Sequence, residues 1–224
     1  MTARTGMSRR WAATAALTIA VVLGLTGCGA PSWNYVTNKE ERTYAKVPAA
    51  WRDVSAEISP AHGVFGLDPT TFTWVRAFDA DATPSIDHAM GVAATESPTM
   101  VVVVLDVPQE VRGVVALDSL RDFVFPVSER AQMSMTLQPR PGLSGFKLFA
   151  DKTLTPGDGL RGVRSIFGYS INNGPPQVFD QTAYTNDAAS KIYMIIVRCS
   201  LECFTKNSAQ INDVASSFTV REKL

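Results

Sequence analysis

Residues 146–154 (FKLFADKTL), 160–171 (LRGVRSIFGYSI), 177–185 (QVFDQTAYT) and 191–199 (KIYMIIVRC) decide the fold. Each is rich in β-branched and aromatic residues, and each gap carries turn chemistry: Thr155-Pro156-Gly157-Asp158-Gly159, then Asn172-Asn173-Gly174-Pro175-Pro176, then Asn186-Asp187. Short links between successive strands predict an antiparallel meander.

Outward from that meander, residues 100–105 are almost uniformly β-branched, as expected of a strand covered on both faces, although periodicity alone leaves a buried helix open. Residues 72–78 alternate, with Phe72, Trp74, Arg76 and Phe78 on one face. Residues 43–47 read as a strand leading into Pro48-Ala49-Ala50-Trp51, with Trp51 a core anchor. Two helices are predicted. In 116–125, Ala116, Leu117, Leu120, Phe123 and Val124 fall at three-and-four spacing before Pro126. Near the end, Ile211, Val214, Ala215 and Phe218 fall at i, i+3, i+4 and i+7, with Asn207 and Gln210 placed for a capping box. Helices flanking a mostly antiparallel central sheet make an α+β fold, an α/β/α sandwich.

Val47-Pro48-Ala49-Ala50-Trp51, the meander, and the last helix running into Ser217-Phe218-Thr219-Val220 together resemble the PsbP-like family. That family includes a photosystem II extrinsic subunit and many exported bacterial lipoproteins of the LpqN type. The resemblance spans residues 44–220. It implies a binding or accessory role on a larger envelope or membrane complex and supplies no catalytic residues.

The first thirty residues read as an export signal. Arg9 and Arg10 make a positive n-region, residues 11–25 an apolar h-region, and Leu25-Thr26-Gly27-Cys28 resembles a bacterial lipobox. As a helix the apolar run reaches about 22 Å, too short for a hydrocarbon core of about 30 Å. Cys28 is therefore expected to carry diacylglyceryl and palmitate-type chains, which bury about 0.8 kcal/mol per methylene. The expected organisation is a signal peptide over 1–27, a lipidated tether over 28–41 and one domain over 42–224. The mature chain would sit on the extracytoplasmic face of the cell membrane. Ser8-Arg9-Arg10-Trp11 leaves both general secretion and twin-arginine export open.

Cleavage before Cys28 removes Arg4, Arg9 and Arg10 and no acid from 21 basic and 21 acidic residues, so the mature net charge is about −3. No run of lysine or arginine occurs, which argues against nucleic acid or an anionic membrane face as the main partner and leaves the lipid on Cys28 as the expected membrane contact. An envelope protein is the expected partner.

Cys199 and Cys203 remain as an even pair. In an exported chain a structural disulfide is the simplest reading, beside free thiols, metal binding or a redox pair, the last suggested by Cys203 lying just before a predicted helix N-terminus, where a thiolate is favoured. By loop entropy the bridge contributes about 2 kcal/mol. Gly157-Asp158-Gly159-Leu160-Arg161-Gly162 is a literal dinucleotide fingerprint, but strand alternation follows where a helix would have to begin, so it reads as a hairpin turn. Asp79-Ala80-Asp81-Ala82-Thr83 lacks the glycine and the bidentate glutamate of a calcium loop and reads as an acidic surface loop. His62 and His88 read as surface residues. No catalytic constellation, metal site or cofactor site is expected. Residues 138–145, with Arg140, Leu143 and Ser144, form a polar connection and the candidate contact loop. Two further readings stand beside a binding role. One is a carrier of an apolar molecule, which needs a cavity lined by Phe146, Phe167 and Tyr169. The other is a thiol oxidoreductase using the cysteine pair.

Overall fold

The computed structural model describes residues 32–59, 69–91 and 94–221. Arg9, Arg10, the Leu25-Thr26-Gly27-Cys28 segment and His62 lie outside the described residues. Among the described residues, ten strands form two sheets. They are β1 (Trp33–Asn38), β2 (Thr43–Pro48), β3 (Arg52–Asp53), β4 (Phe72–Asp79), β5 (Thr99–Asp106), β6 (Leu143–Gly157), β7 (Leu160–Ile171), β8 (Gln177–Asn186), β9 (Lys191–Ser200) and β10 (Thr219–Val220). The large antiparallel sheet runs β3-β4-β5-β9-β8-β7-β6, and the small one β1-β2-β10. Five helices accompany them: α1 (Ile86–Ala89), α2 (Leu117–Arg121), α3 (Glu129–Leu137), α4 (Leu201–Lys206) and α5 (Ser208–Ser216).

The meander is present as predicted, from β6 to β9. β5 is covered on both faces: Val101 and Val103 enter one core, while Met100, Val102 and Val104 enter the other. The first core packs Ile86 and Leu120 of the short helices, with Val124 and Phe125, on Phe167, Tyr169 and Phe179. The second packs Ile211, Val214 and Ala215 of α5 and Val36, Ala45 and Val47 of the small sheet on Tyr193, Ile195 and Val197. Trp51 is 5% exposed and belongs to the second core, as expected.

Five expectations need correction. Residues 29–41 are not all tether, because β1 pairs in register with β2 from Trp33↔Pro48 to Asn38↔Thr43. The face assigned to β4 breaks at a bulge between Phe72 and Trp74, so Phe72 joins the first core and Trp74 and Phe78 the second. The helix over 116–125 shrinks to the five residues of α2; Ala116 offers no capping side chain, and the chain turns where Asp122 accepts the Val127 and Ser128 amides at 2.7 Å each. Cys203 lies inside α4 rather than before a helix. Asn207 makes no cap for α5, because its amide donates back to the Cys203 carbonyl at 2.9 Å.

The 157–162 motif is the β6–β7 hairpin, with positive φ at Gly157, Asp158 and Gly159. Gly162 serves close packing, since a Cβ there would stand 2.3 Å from the Ala183 carbonyl oxygen. β6 is the long edge strand of the large sheet, exposed for most of its length and broken by register shifts between Ser144 and Lys147, Leu148 and Ala150, and Leu154 and Gly157.

Candidate functional site

α3 is a helix with no buried residue. Nine residues are too few to hold a helix in water unaided. Local chemistry holds this one. The Ser128 hydroxyl accepts the Ala131 amide at 3.1 Å and donates to Asp122 at 2.6 Å, so the N-cap is itself fixed. One turn on, the Gln132 amide donates to the Tyr169 hydroxyl at 2.6 Å and to the Pro126 carbonyl at 2.5 Å, while Tyr169 donates to the same carbonyl. Tyr169 is otherwise buried in the first core, and that burial pushes its phenol above the ordinary value. A polar latch thus ties one side of α3 to the sheet. The other side presents Met133, 61% exposed, and Leu137, 84% exposed, four residues apart and so on one stripe.

The chain leaves α3 through Gln138, Pro139 and Arg140, all exposed, and closes on Gly142, whose carbonyl accepts the Asn172 amide at 2.7 Å. Arg140 lies in the loop as expected. Leu143 and Ser144 do not: both are in β6, opposite Ile171 and Ser170, and Leu143 packs against the first core. The exposed stretch between Ser128 and β6 is therefore α3 and residues 138–142. Sequence reasoning passed over Met133 and Leu137. The signal available was their i, i+4 spacing after Ser128, a good N-cap residue.

The charged groups in the body of the fold are tied into it. Asp79 is not part of a surface loop. It is fully buried, accepts the Asp81 and Ser85 amides at 2.9 Å each and lies 3.0 Å from His88 Nδ1. His88 is accordingly half-buried. The pair ties α1 to the end of β4. Beside it, burial lowers the Arg198 guanidinium to about 10, still charged at neutral pH, and its Nη2 donates to the His88 carbonyl at 2.5 Å. Arg164 forks onto Asp180 at 2.8 and 2.7 Å and reaches Asn212 and Ser216 of α5. Burial raises the Asp180 carboxyl against the pull of Arg164. Arg121 forks onto Asp151, which also accepts from Ser165 at 2.6 Å. Burial works to raise the Asp151 carboxyl, but the bonds from Arg121 and Ser165 win and hold it below the ordinary value.

Cys199 and Cys203 form a disulfide joining the end of β9 to α4. Both are buried, at 0 and 5% exposure, which leaves an attacking thiolate no approach. The rings expected to line a ligand cavity fill that space themselves: Phe167 stacks on Phe179 at 5.3 Å, Phe125 lies 4.9 Å from Phe179, and Phe146 lies 5.2 Å from Tyr169. Among the described residues no helix is long and apolar enough to cross a membrane.

No family model and no curated protein sequence matches the chain. Solved structures do. Cyanobacterial PsbP (CyanoP) from Synechocystis is 13% identical, covering 87% of this chain and 95% of its own, with a TM-score of 0.53. LpqN of Mycobacterium tuberculosis, involved in cell envelope biogenesis, is 12% identical over 85% of this chain and 91% of its own, with a TM-score of 0.45. The Saccharomyces cerevisiae Ran-binding protein Mog1p is 11% identical over 85% and 96%, with a TM-score of 0.46. At these identities likeness speaks for architecture alone. A mostly antiparallel central sheet between helical layers, closed by a helix running into Ser217-Phe218-Thr219-Val220 and superposable on PsbP, gives this chain the PsbP-like fold.

Proposed function

We propose that the protein is a non-catalytic, lipid-anchored binding protein of the cell envelope, and that it recruits or stabilises another envelope protein through α3 and residues 138–142. In this reading residues 1–27 are removed and Cys28 carries the lipid. The observation that carries the contact surface is α3 itself, a helix built by a cap and a latch that holds Met133 and Leu137 out in water. Paired apolar side chains on a firmly positioned helix are what a partner groove receives. The tying of Asp79, His88 and the cysteine pair into the fold supports a role without chemistry of its own.

The test is photocrosslinking in membranes carrying the intact lipoprotein, with a crosslinker at position 133 or 137 and a Cys28→Ala chain as mislocalised control. One protein should be captured from α3 by the anchored form only. Capture from the outer face of α5 instead, with none from α3, overturns the assignment of the surface. Labelling with an alkyne-bearing palmitate analogue tests the anchor separately: the label should vanish in Cys28→Ala.

A further inference from the structure

The outer face of the small sheet gathers aromatic rings and cations that lie far apart in sequence. Side chains alternate along β1 and β2, and Val36, Ala45 and Val47 enter the second core, so Tyr35, Tyr44 and Lys46 face outward, while Trp33 is half-buried and packs against the second core. The register sets Tyr35 beside Lys46. The Lys46 ammonium lies 4.2 Å from the Trp33 ring centroid, and the Arg221 guanidinium 5.5 Å from that of Tyr44. Tyr35 is 78% exposed. No residue of β1, β2 or β10 is acidic. Beside Tyr35 a cleft of about 440 Å³ opens toward the β3–β4 edge, with Arg52, Asp53 and Arg76 on its wall. Asp53 accepts the Ser55 amide at 2.9 Å and stands 3.9 Å from Arg76, while the Arg52 side chain has no hydrogen bond or ion pair among the described residues.

We propose that this face and cleft lie against the anionic phospholipid headgroups of the membrane that carries the chain. The inference rests on the lipidation of Cys28 proposed above. Only residues 29–32 separate Cys28 from the first residue of β1. Five residue steps reach at most about 18 Å, and the headgroup layer itself takes up about 5–7 Å of that. The remaining slack, about 11 Å, is far less than the width of a seven-stranded sheet, about 29 Å across six strand spacings. The start of β1 therefore stays within about 11 Å of the headgroups, and the face next to it is the one the tether keeps near the bilayer. Its chemistry suits that place. Tyrosine and tryptophan seat their rings at the headgroup level, and Lys46, Arg52 and Arg76 are cations that an anionic surface attracts over roughly 8 Å at physiological salt. The mature chain as a whole is acidic, at about −3, so the surface outside this face is net negative and less suited to anionic lipid.

The experiment uses the intact lipoprotein with a spin label at Thr37→Cys, an exposed site on the same face, incorporated in phosphatidylcholine vesicles with and without phosphatidylglycerol. A label at Ser134→Cys on α3 serves as the aqueous reference. The label at position 37 should become shielded from a water-soluble relaxant when phosphatidylglycerol is present, while that at 134 stays open. Arg52→Gln and Arg76→Gln should each lower the shielded-to-open ratio about fivefold. Protein that floats with the vesicles but keeps position 37 equally open in both lipids overturns this inference alone. Protein that does not float with vesicles overturns the lipid anchor, and this inference with it.

Discussion

Replacing Met133 and Leu137 together by glutamine separates the stability of α3 from its use. Glutamine matches methionine and leucine in helix propensity, so the backbone is left as it was. Met133 is 61% and Leu137 84% exposed, so the fold has most of their surface still in water. Full burial of a side chain of this size is worth about 2 kcal/mol, which leaves about 1 kcal/mol at stake for the pair in the free protein. A partner that covers the rest gains about 3 kcal/mol, roughly a hundredfold in Kd. Urea unfolding followed by near-ultraviolet circular dichroism reads the first quantity, and the yield of the crosslinked complex at limiting partner reads the second. The expected result is a midpoint close to that of the parent chain with capture nearly abolished. A stability loss above about 2 kcal/mol refutes the reasoning, because it means these side chains are packed in solution. Unchanged capture refutes it from the other side.

Arg164→Met should destabilise by about 3–5 kcal/mol by leaving Asp180, 1% exposed, without its cation, and adding Asp180→Leu should restore most of the loss in the same unfolding assay. Asp151 is held below its ordinary pKa, so its contribution is complete above the unfolded value of 3.8 and disappears as pH falls through the lower folded value. Asp151→Asn should accordingly flatten the fall in stability below pH 4 and leave the curve above it parallel to that of the parent. Gly162→Ala puts a methyl 2.3 Å from the Ala183 carbonyl oxygen and should cost about 1–3 kcal/mol, read as a lowered thermal midpoint.

The parts of this fold that were legible in the sequence are those where one face or both are buried. β5 is read from Met100 to Leu105 because both its faces are covered, and α5 from Ile211, Val214 and Ala215 because its inner stripe is. α3 offered no such stripe. Met133, Met135 and Leu137 alternate like a strand, and the helix is fixed instead by Ser128, Asp122 and Gln132, whose partners come from other elements. β1 looked like tether because only Val36 of its six residues is buried. The Asp79–His88 pair was invisible for a related reason: nine residues apart, the two meet only because α1 folds back over the end of β4. The cations of the small-sheet face and its cleft come from separate segments around Lys46, Arg52, Arg76 and Arg221, so a search for basic runs finds nothing. They meet because two sheets come together there.

The three register shifts in β6 bear on a different matter from recognition. Anchored as proposed above, the chain would meet its own copies at a crowding no dilute solution reaches, and a straight fifteen-residue edge strand would offer each neighbour a ladder of open amides and carbonyls. The shifts after Ser144, Leu148 and Leu154 interrupt that ladder, and Lys147, Asp151, Lys152 and Pro156 punctuate what remains. On the β6 side the sheet therefore ends in a form poorly suited to strand-by-strand growth, and copies anchored as proposed would be kept from zipping together along that edge.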